Sequence, residues 1–410
     1  MANVNTTATL NGFYKEVYAN DIEKLVPAFA KLAKMIEFRE SDMVGNKYHQ
    51  PVVLSQEAGV TYAAPNSGAF TLNAAIAATV KDAALEGSQI VLRSALDYES
   101  AFRASSTKKA FRQATEFVVS NMKDTLFKRL EIELLYGQSP TGIGLVNSLT
   151  SQTINIQLGQ WSSAIWAGME NCVIDVYQPG GTVPRQTGLV ITSIDLTNQN
   201  LVVTGTVTGI VSGDIIYFSG ANNAGASQEF AGIDKICSNQ GVLFGIDASI
   251  YSLWRGNQYA VGGVNLSLAK IMDGTTKAVE RGLIGNGVML IPVKQWQSLS
   301  TDQTSLRRYE SGGDAKHIEV GAESIKYYGQ TGWVELVPHL FLKQGDAFFI
   351  TPEKMRRIGA SDITFRRPGN NADIFRELQD QAGFEMRAYT NQALLIEAPA
   401  RQIKFTGILP

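Results

Sequence analysis

The run from Ser105 to Gln138 constrains the fold more than any other stretch of this chain. Phe111, Ala114, Val118, Met122, Leu126, Leu130 and Leu134 recur every three or four residues, which places them on one face of an α-helix. Phe117, Phe127 and Leu135 widen that stripe. Ser105, Ser106 and Thr107 offer N-cap oxygens, and no Gly or Pro interrupts the pattern before Gly137, with Pro140 just beyond. About 30 residues at 1.5 Å each give a helix of roughly 45 Å, several times the usual length of about 11 residues. Such a helix needs packing along its whole length. Met122 and Leu126 are expected in the core beneath it, with Lys123 and Asp124 off the main stripe.

The flanks give the helix its context. Residues 1–10 are Asn- and Thr-rich and read as an arm. From Tyr14 to Ile36 apolar residues recur at helical spacing, with Pro27 as a break. This segment either packs on its own domain or lies on a neighbouring subunit.

Residues 46–100 carry two strand-like arms, His49–Tyr62 and Ala77–Leu92. Between Pro51 and Val80 the sole charged side chain is Glu57, and large apolar residues are sparse. This reads as a long hairpin with too few large hydrophobes for a core of its own. An uncharged, uncovered hairpin would aggregate through its edges, so cover by another subunit is expected, with Tyr62, Phe70 and Leu72 among the contacts and Phe13 and Tyr14 as further candidates. The competing reading, a flexible surface loop, fits less well because such loops are usually richer in charge.

From Thr150 to Gly263 short strand-like runs alternate with Gly, Asn and Ser clusters, as in a compact all-β module. Its expected strands include Gly232–Cys237, Gly241–Gly245 and Tyr259–Val261. Trp161, Trp166 and Trp254 either plug its ends or mark a sugar-binding face. Helix returns after Val264 and ends at Gly282, and Val288–Val293 reads as a strand buried on both faces. Thr301–Gly321 is polar and Gly-rich, a loop. Ser324–Tyr328, Trp333–Val337 and Ala347–Ile350 read as strands, and after Phe375 the alternation continues through Ala393–Ile396 and Ile403–Phe405 into a terminal sheet. The whole is α+β with a β module inserted in its middle.

Chemistry-bearing constellations are poor. The three histidines, His49, His317 and His339, stand apart, and neither HExxH nor Cys/His zinc spacing occurs. Gly282–Gly287 is glycine-dense but follows a helix and precedes a strand, the reverse of a phosphate-cradling loop. Ser311–Lys316 lacks Walker spacing, and Glu131 and Glu133 fall on opposite sides of a helix. No enzyme, cofactor or metal is expected. Net charge is −2 with the two signs interspersed, so nothing argues for a dedicated nucleic-acid surface. Cys172 and Cys237 do not suggest a disulfide framework, and no apolar run reaches the length of a membrane span.

Several runs resemble coat proteins of short-tailed phages of the N-four-like group, within the Hong Kong 97 fold of tailed-phage major capsid proteins. They are NGFYKEVY (11–18), YHQPVVL (48–54), GVTYA (59–63), GSQIVLRSALDYE (87–99), KRLEIELLYGQ (128–138), IWAGMENCVIDVY (165–177), SGDIIYFSGA (212–221) and YSLWRGN (251–257). The resemblance implies an N-arm over 1–45, an extended loop over 46–100, the spine helix and domain starts over 101–153, and an inserted all-β domain over 154–262. An axial domain over 263–365 and peripheral strands over 366–410 would follow. It also implies a virion protein assembled in the host bacterial cytoplasm into hexamers and pentamers around double-stranded DNA. Its partners would be itself, a portal and possible scaffold or decoration proteins, with non-specific DNA contact and no membrane. The alternative is a tail-associated or host-surface protein whose β module binds glycan through the tryptophans.

Overall fold

The computed structural model describes residues 30–40, 47–97, 108–301, 325–365, 375–377 and 383–410. The Asn/Thr-rich arm, Phe13, Tyr14, Pro27, the N-cap candidates Ser105–Thr107 and most of the loop at 301–321 lie outside the described residues. The helical pattern that precedes Ile36 ends in a short helix, Leu32–Met35, within the described part.

The spine helix spans Lys108–Tyr136. Phe111, Ala114 and Phe117 lie outside the residues whose side chains are described. Farther along, Met122, Leu126, Leu130 and Leu134 are buried as their spacing requires. Met122 and Leu126 meet Met386 and Ala388 of a sheet strand, with Ile90, Leu92 and Val118 around them. The last two turns depart from a one-faced stripe, because every residue from Leu130 to Gly137 is buried. Ile132 and Tyr136 are apolar there, but so placed are Glu131 and Glu133, each held by its own partners. Glu131 accepts hydrogen bonds from the amides of Leu32 (2.5 Å) and Ala33 (2.9 Å) and contacts His339 Nε2 at 2.9 Å. It thereby caps a short helix nearly a hundred residues upstream.

Gly137 is needed for close approach. A Cβ there would lie 2.3 Å from the Phe230 carbonyl, and the left-handed turn after the helix is taken by Gln138 at φ 54°. Gly232 crosses at the same point and donates its amide to the Gly137 carbonyl at 2.8 Å.

Six antiparallel strands close into a barrel in the order 215–218, 144–150, 153–156, 200–204, 184–195, 173–177 and back to 215–218. Val146, Ile154, Ile174, Leu189, Ile191 and Leu201 are buried within this unit. Closure leaves no free edge.

Past Phe218 the sequence expectations need correction. Gly232–Cys237 is not a strand but leads into the helix Ile233–Ser238. Ile233, Ile236 and Cys237 stand at i, i+3 and i+4 and are all fully buried, so the helical period prevailed over a short alternating look. Gly241–Gly245 contributes only the two-residue pairing of Val242–Leu243 with Ile246–Asp247. Tyr259–Val261 belongs to Gln258–Val264, which leaves the barrel and pairs in parallel with Ile403–Ile408.

That pair sits in a six-stranded mixed sheet ordered 258–264, 403–408, 347–350, 287–291, 333–338, 325–328. Gly287–Ile291 is central, as its continuous apolar run required. Leu268–Val279 packs on this sheet, close enough that a Cβ on Gly274 would lie 2.3 Å from the Phe405 ring. Ile403–Phe405 therefore does not complete a terminal sheet with Ala393–Ile396. The latter is the end of one long strand, Gly383–Ile396, which pairs with Met355–Thr364 and Phe375–Glu377 on one edge and Ser88–Asp97 on the other. Phe38–Glu40 adds to Met355–Thr364 in parallel.

Candidate functional site

The hairpin is the part of the chain that its own fold leaves uncovered. Its root is regular, with Tyr48–Val53 pairing antiparallel to Val80–Leu85. Leu54, Ala83 and Leu85 of the root enter the main core, and the Ala84 amide donates to the Phe244 carbonyl at 3.0 Å. The strand-like arms expected over His49–Tyr62 and Ala77–Leu92 are thus shorter than their sequence patterns. Ser88 onward turns away into the sheet with Gly383–Ile396.

Beyond Val53 the two arms still run together, by sparser bonds. Leu54 N donates to Thr79 O at 2.8 Å, Ala58 N to Ile76 O at 3.1 Å, and Asn73 Nδ2 to Val60 O at 2.8 Å. Asn66 and Gly68, both at φ 63°, turn the tip.

No residue from Ser55 to Asp82 is buried. Tyr62 is 91% exposed, Leu72 72% and Phe70 51%, with Val60 and Ile76 at 57% each. Exposed apolar groups of that size on a nearly uncharged ribbon are unusual for a surface left in water. The structure brings Tyr62, Phe70 and Leu72 onto one ribbon, whereas Phe13 and Tyr14 fall outside the described residues. A second exposed apolar group gathers Ile284 (83%), Tyr328 (62%) and Trp333 (45%) at one end of the six-stranded sheet.

The interior holds what sequence reading missed. Lys404 is buried and bridges the carboxylates of Asp234 and Asp346, the latter at 3.5 Å. Lys343, fully buried, donates to Thr141 Oγ1 (2.9 Å), Gly142 O (2.8 Å) and Gln160 Oε1 (3.0 Å). Burial pushes the Lys343 ammonium down to about 8. These residues come from segments far apart in the chain, and Lys404 in IKFTGI reads locally as an outward position. They tie the spine helix, the barrel and the six-stranded sheet to one another, and they are enclosed rather than open to a substrate. Among the described residues no group of three His, Cys, Asp or Glu side chains is arranged to hold a metal, and no helix is long and apolar enough to cross a membrane.

No family model matches the sequence, and no curated protein is similar to it. Solved structures do match over almost the full length. One, from the capsid asymmetric unit of cyanophage A-1(L), superposes with a TM-score of 0.59 at 11% identity, covering 99% of this chain and 100% of that one. Another, from the capsid of a native GTA particle, gives 0.51 at 7% identity with 99% and 100% coverage. The chain has a capsid-protein fold. Its identity to these neighbours is low because a fold conserves which positions are buried and paired, and many side chains satisfy each. Within this capsid fold, Trp161 and Trp166 stack on each other with centroids 6.1 Å apart and are fully buried. Trp254 is 1% exposed and donates Nε1 to the Leu243 carbonyl at 3.0 Å. The three indoles are interior, so the sugar-binding face drawn from them does not exist.

A carboxyl pair where helix meets barrel gives the capsid fold a pH signature. Burial, reinforced by the Glu229 charge, holds Glu133 well above the ordinary carboxylate range. Burial pushes Glu229 up to about 7, against the opposing effects of the Gln138 amide and Arg129. The folded protein keeps protons here that the unfolded chain releases above its ordinary range near 4.5. Their stabilising share is complete below that value and is lost as pH rises through about 7. Glu133→Gln keeps the oxygen that accepts from the Phe230 amide at 2.9 Å. Thermal unfolding at about pH 8 is expected to favour the variant over wild type by more than at about pH 5.5. A difference constant across that range would overturn the assignment.

Proposed function

We propose that this chain is the major shell subunit of a tailed-phage head, with the Hong Kong 97-like arrangement. It assembles with copies of itself into hexamers and pentamers around double-stranded DNA. The observation that supports this reading most is the uncovered apolar hairpin, on a chain whose whole length follows the fold of capsid proteins. Burying a fully exposed large apolar side chain stabilises by about 1.5–3 kcal/mol; Tyr62 and Leu72, at 91% and 72% exposed, would gain most of that and half-covered Phe70 a smaller share. A neighbour that covers them receives the same contact from the next copy. This is a head-to-tail interface that closes into rings.

In this reading residues 1–45 are the N-arm and 46–100 the extended loop. Residues 101–153 are the spine helix and domain starts, and 154–262 an inserted β domain. The axial domain is built on 263–365 and takes in Ile403–Ile408 through the six-stranded sheet, and the peripheral strands of 366–410 are joined by Met355–Thr364. The barrel's first strand, Gly144–Thr150, joins the inserted domain to the end of the spine helix. The N-four-like group is the branch its sequence runs favour. Phe13 and Tyr14 would contact a neighbour from the arm. The protein is not an enzyme in this scheme. It works in the virion after assembly in the bacterial cytoplasm, with a portal and scaffold or decoration proteins as partners.

Negative-stain microscopy and sizing of purified protein test the proposal. Closed shells or capsomers are expected for wild type. Tyr62→Asp with Leu72→Asp should leave a folded subunit, with stability within about 0.5 kcal/mol for exposed sites, and should stop assembly. Wild type that stays monomeric at high concentration overturns the shell reading. A double variant that assembles like wild type overturns the hairpin's part in it.

A further inference from the structure

A cavity of about 430 Å³ lies at the hairpin root, between residues 50–54, the Leu253–Trp254 turn and the segments around Arg281, Lys354 and Arg401. Its charge is one-sided. Arg281, Lys354, Arg356 and Arg401 line it against the single carboxylate of Glu397. That carboxylate is already engaged by Arg356 at 3.0 Å and Lys354 at 3.8 Å.

The other two cations have nothing comparable. Arg281 Nη1 is buried and has no hydrogen-bond partner. Arg401 sets its guanidinium against the backbone just after Arg281, with Nη2 3.5 Å from where a Cβ on Gly282 would stand. Among the described residues neither forms an ion pair with a carboxylate. Both side chains are partly buried, and a guanidinium nitrogen enclosed without an acceptor, as Arg281 Nη1 is, is costly. Val52, Leu54 and Trp254 supply apolar wall, which lowers the local dielectric and strengthens whatever charge pairing forms there.

We propose that this cavity is a binding site for a phosphate-type oxyanion, either free inorganic phosphate or a phosphate monoester on a small organic body. Planar guanidinium forks match the oxygens of such a group in paired hydrogen bonds. The volume leaves room for more than the bare anion. One wall is the hairpin root, so a bound oxyanion joins the root to the Arg281 and Arg401 segments and stiffens the base of the exposed ribbon. This inference rests on the cavity alone and stands whether or not the chain builds shells.

The experiment is isothermal titration of full-length protein with inorganic phosphate and, separately, with a nucleoside monophosphate, at constant ionic strength. Thermal shift is measured in parallel, with sulfate and acetate as controls. Wild type is expected to bind at least one of the two phosphates with a stoichiometry of one. Tighter binding of inorganic phosphate identifies the free anion as the ligand, and tighter binding of the monophosphate identifies the ester. Arg281→Gln and Arg401→Gln are each expected to weaken binding by about tenfold or more, the loss of one charge-assisted contact. Without phosphate, Arg281→Gln should unfold at the same temperature as wild type or higher, because it removes a guanidinium whose enclosed Nη1 has no acceptor. The proposal is overturned if wild type binds neither phosphate, if both variants bind as tightly as wild type, or if Arg281→Gln is markedly less stable without ligand.

Discussion

Lys404→Met will destabilise the protein by about 3–5 kcal/mol, the usual cost of removing one partner from a buried ionic group. Burial by itself would lower the Lys404 ammonium. The charges of Asp234 and Asp346 outweigh burial and hold it above its ordinary value. Burial raises Asp346 in turn, whereas Lys404 and Lys343 overcome burial to keep Asp234 below the usual carboxylate range. Without Lys404, two enclosed carboxylates face each other with only Lys343 near them. Adding Asp234→Asn should restore part of the loss, because the asparagine oxygen still accepts from Ser139 Oγ. Lys343→Met should cost less than Lys404→Met, since the groups hydrogen-bonded to Lys343 Nζ are neutral. Denaturant unfolding of the purified protein measures all three. A Lys404→Met loss below about 1 kcal/mol would show that the cluster is wetter than its enclosure implies.

Leu126→Ala comes second, with an expected loss of about 2–5 kcal/mol. Leu126 is 1% exposed and joins Met122, Met386 and Ala388 in a small cluster separate from the main core. That cluster is what fastens the middle of the spine helix to the sheet of Ser88–Asp97 and Gly383–Ile396. Against a net domain stability of about 5–15 kcal/mol, the loss should appear as reduced soluble yield and aggregation. Lys123→Ala, at an exposed position of the same helix turn, should change stability by no more than about 0.5 kcal/mol. Both substitutions keep helix propensity high, so the comparison isolates burial. If Lys123→Ala fails to assemble while Leu126→Ala behaves as wild type, the helix works through its charged side.

Local sequence period determined much of this protein. A long amphipathic repeat is a helix before anything packs on it, so Val118 through Leu134 specified the spine and its inward face. Gly287–Ile291 declared a central strand because only a strand covered on both sides tolerates an unbroken apolar run. The hairpin was legible from what it lacks: with Glu57 the one charge between Pro51 and Val80 and few large side chains, its outer part has neither a core nor protection of its own. Tertiary structure decided what covers each second face, and a one-dimensional pattern carries no information about that. Glu131 and Glu133 fall on opposite sides of the helix, and nothing in the local pattern gives either a partner. They are interior because Leu32–Met35 and the Phe230–Gly232 crossing come to lie on those sides of the helix. Lys404 alternates outward along its strand, yet the helix Ile233–Ser238, itself read as a strand, closes over it with Asp234. Arg281 and Arg401 are ordinary surface residues in sequence and become neighbours only when two sheets and the hairpin root meet. Each case turns on a contact between segments remote in the chain, and it is there that the charges of this fold acquire their partners or are left without one.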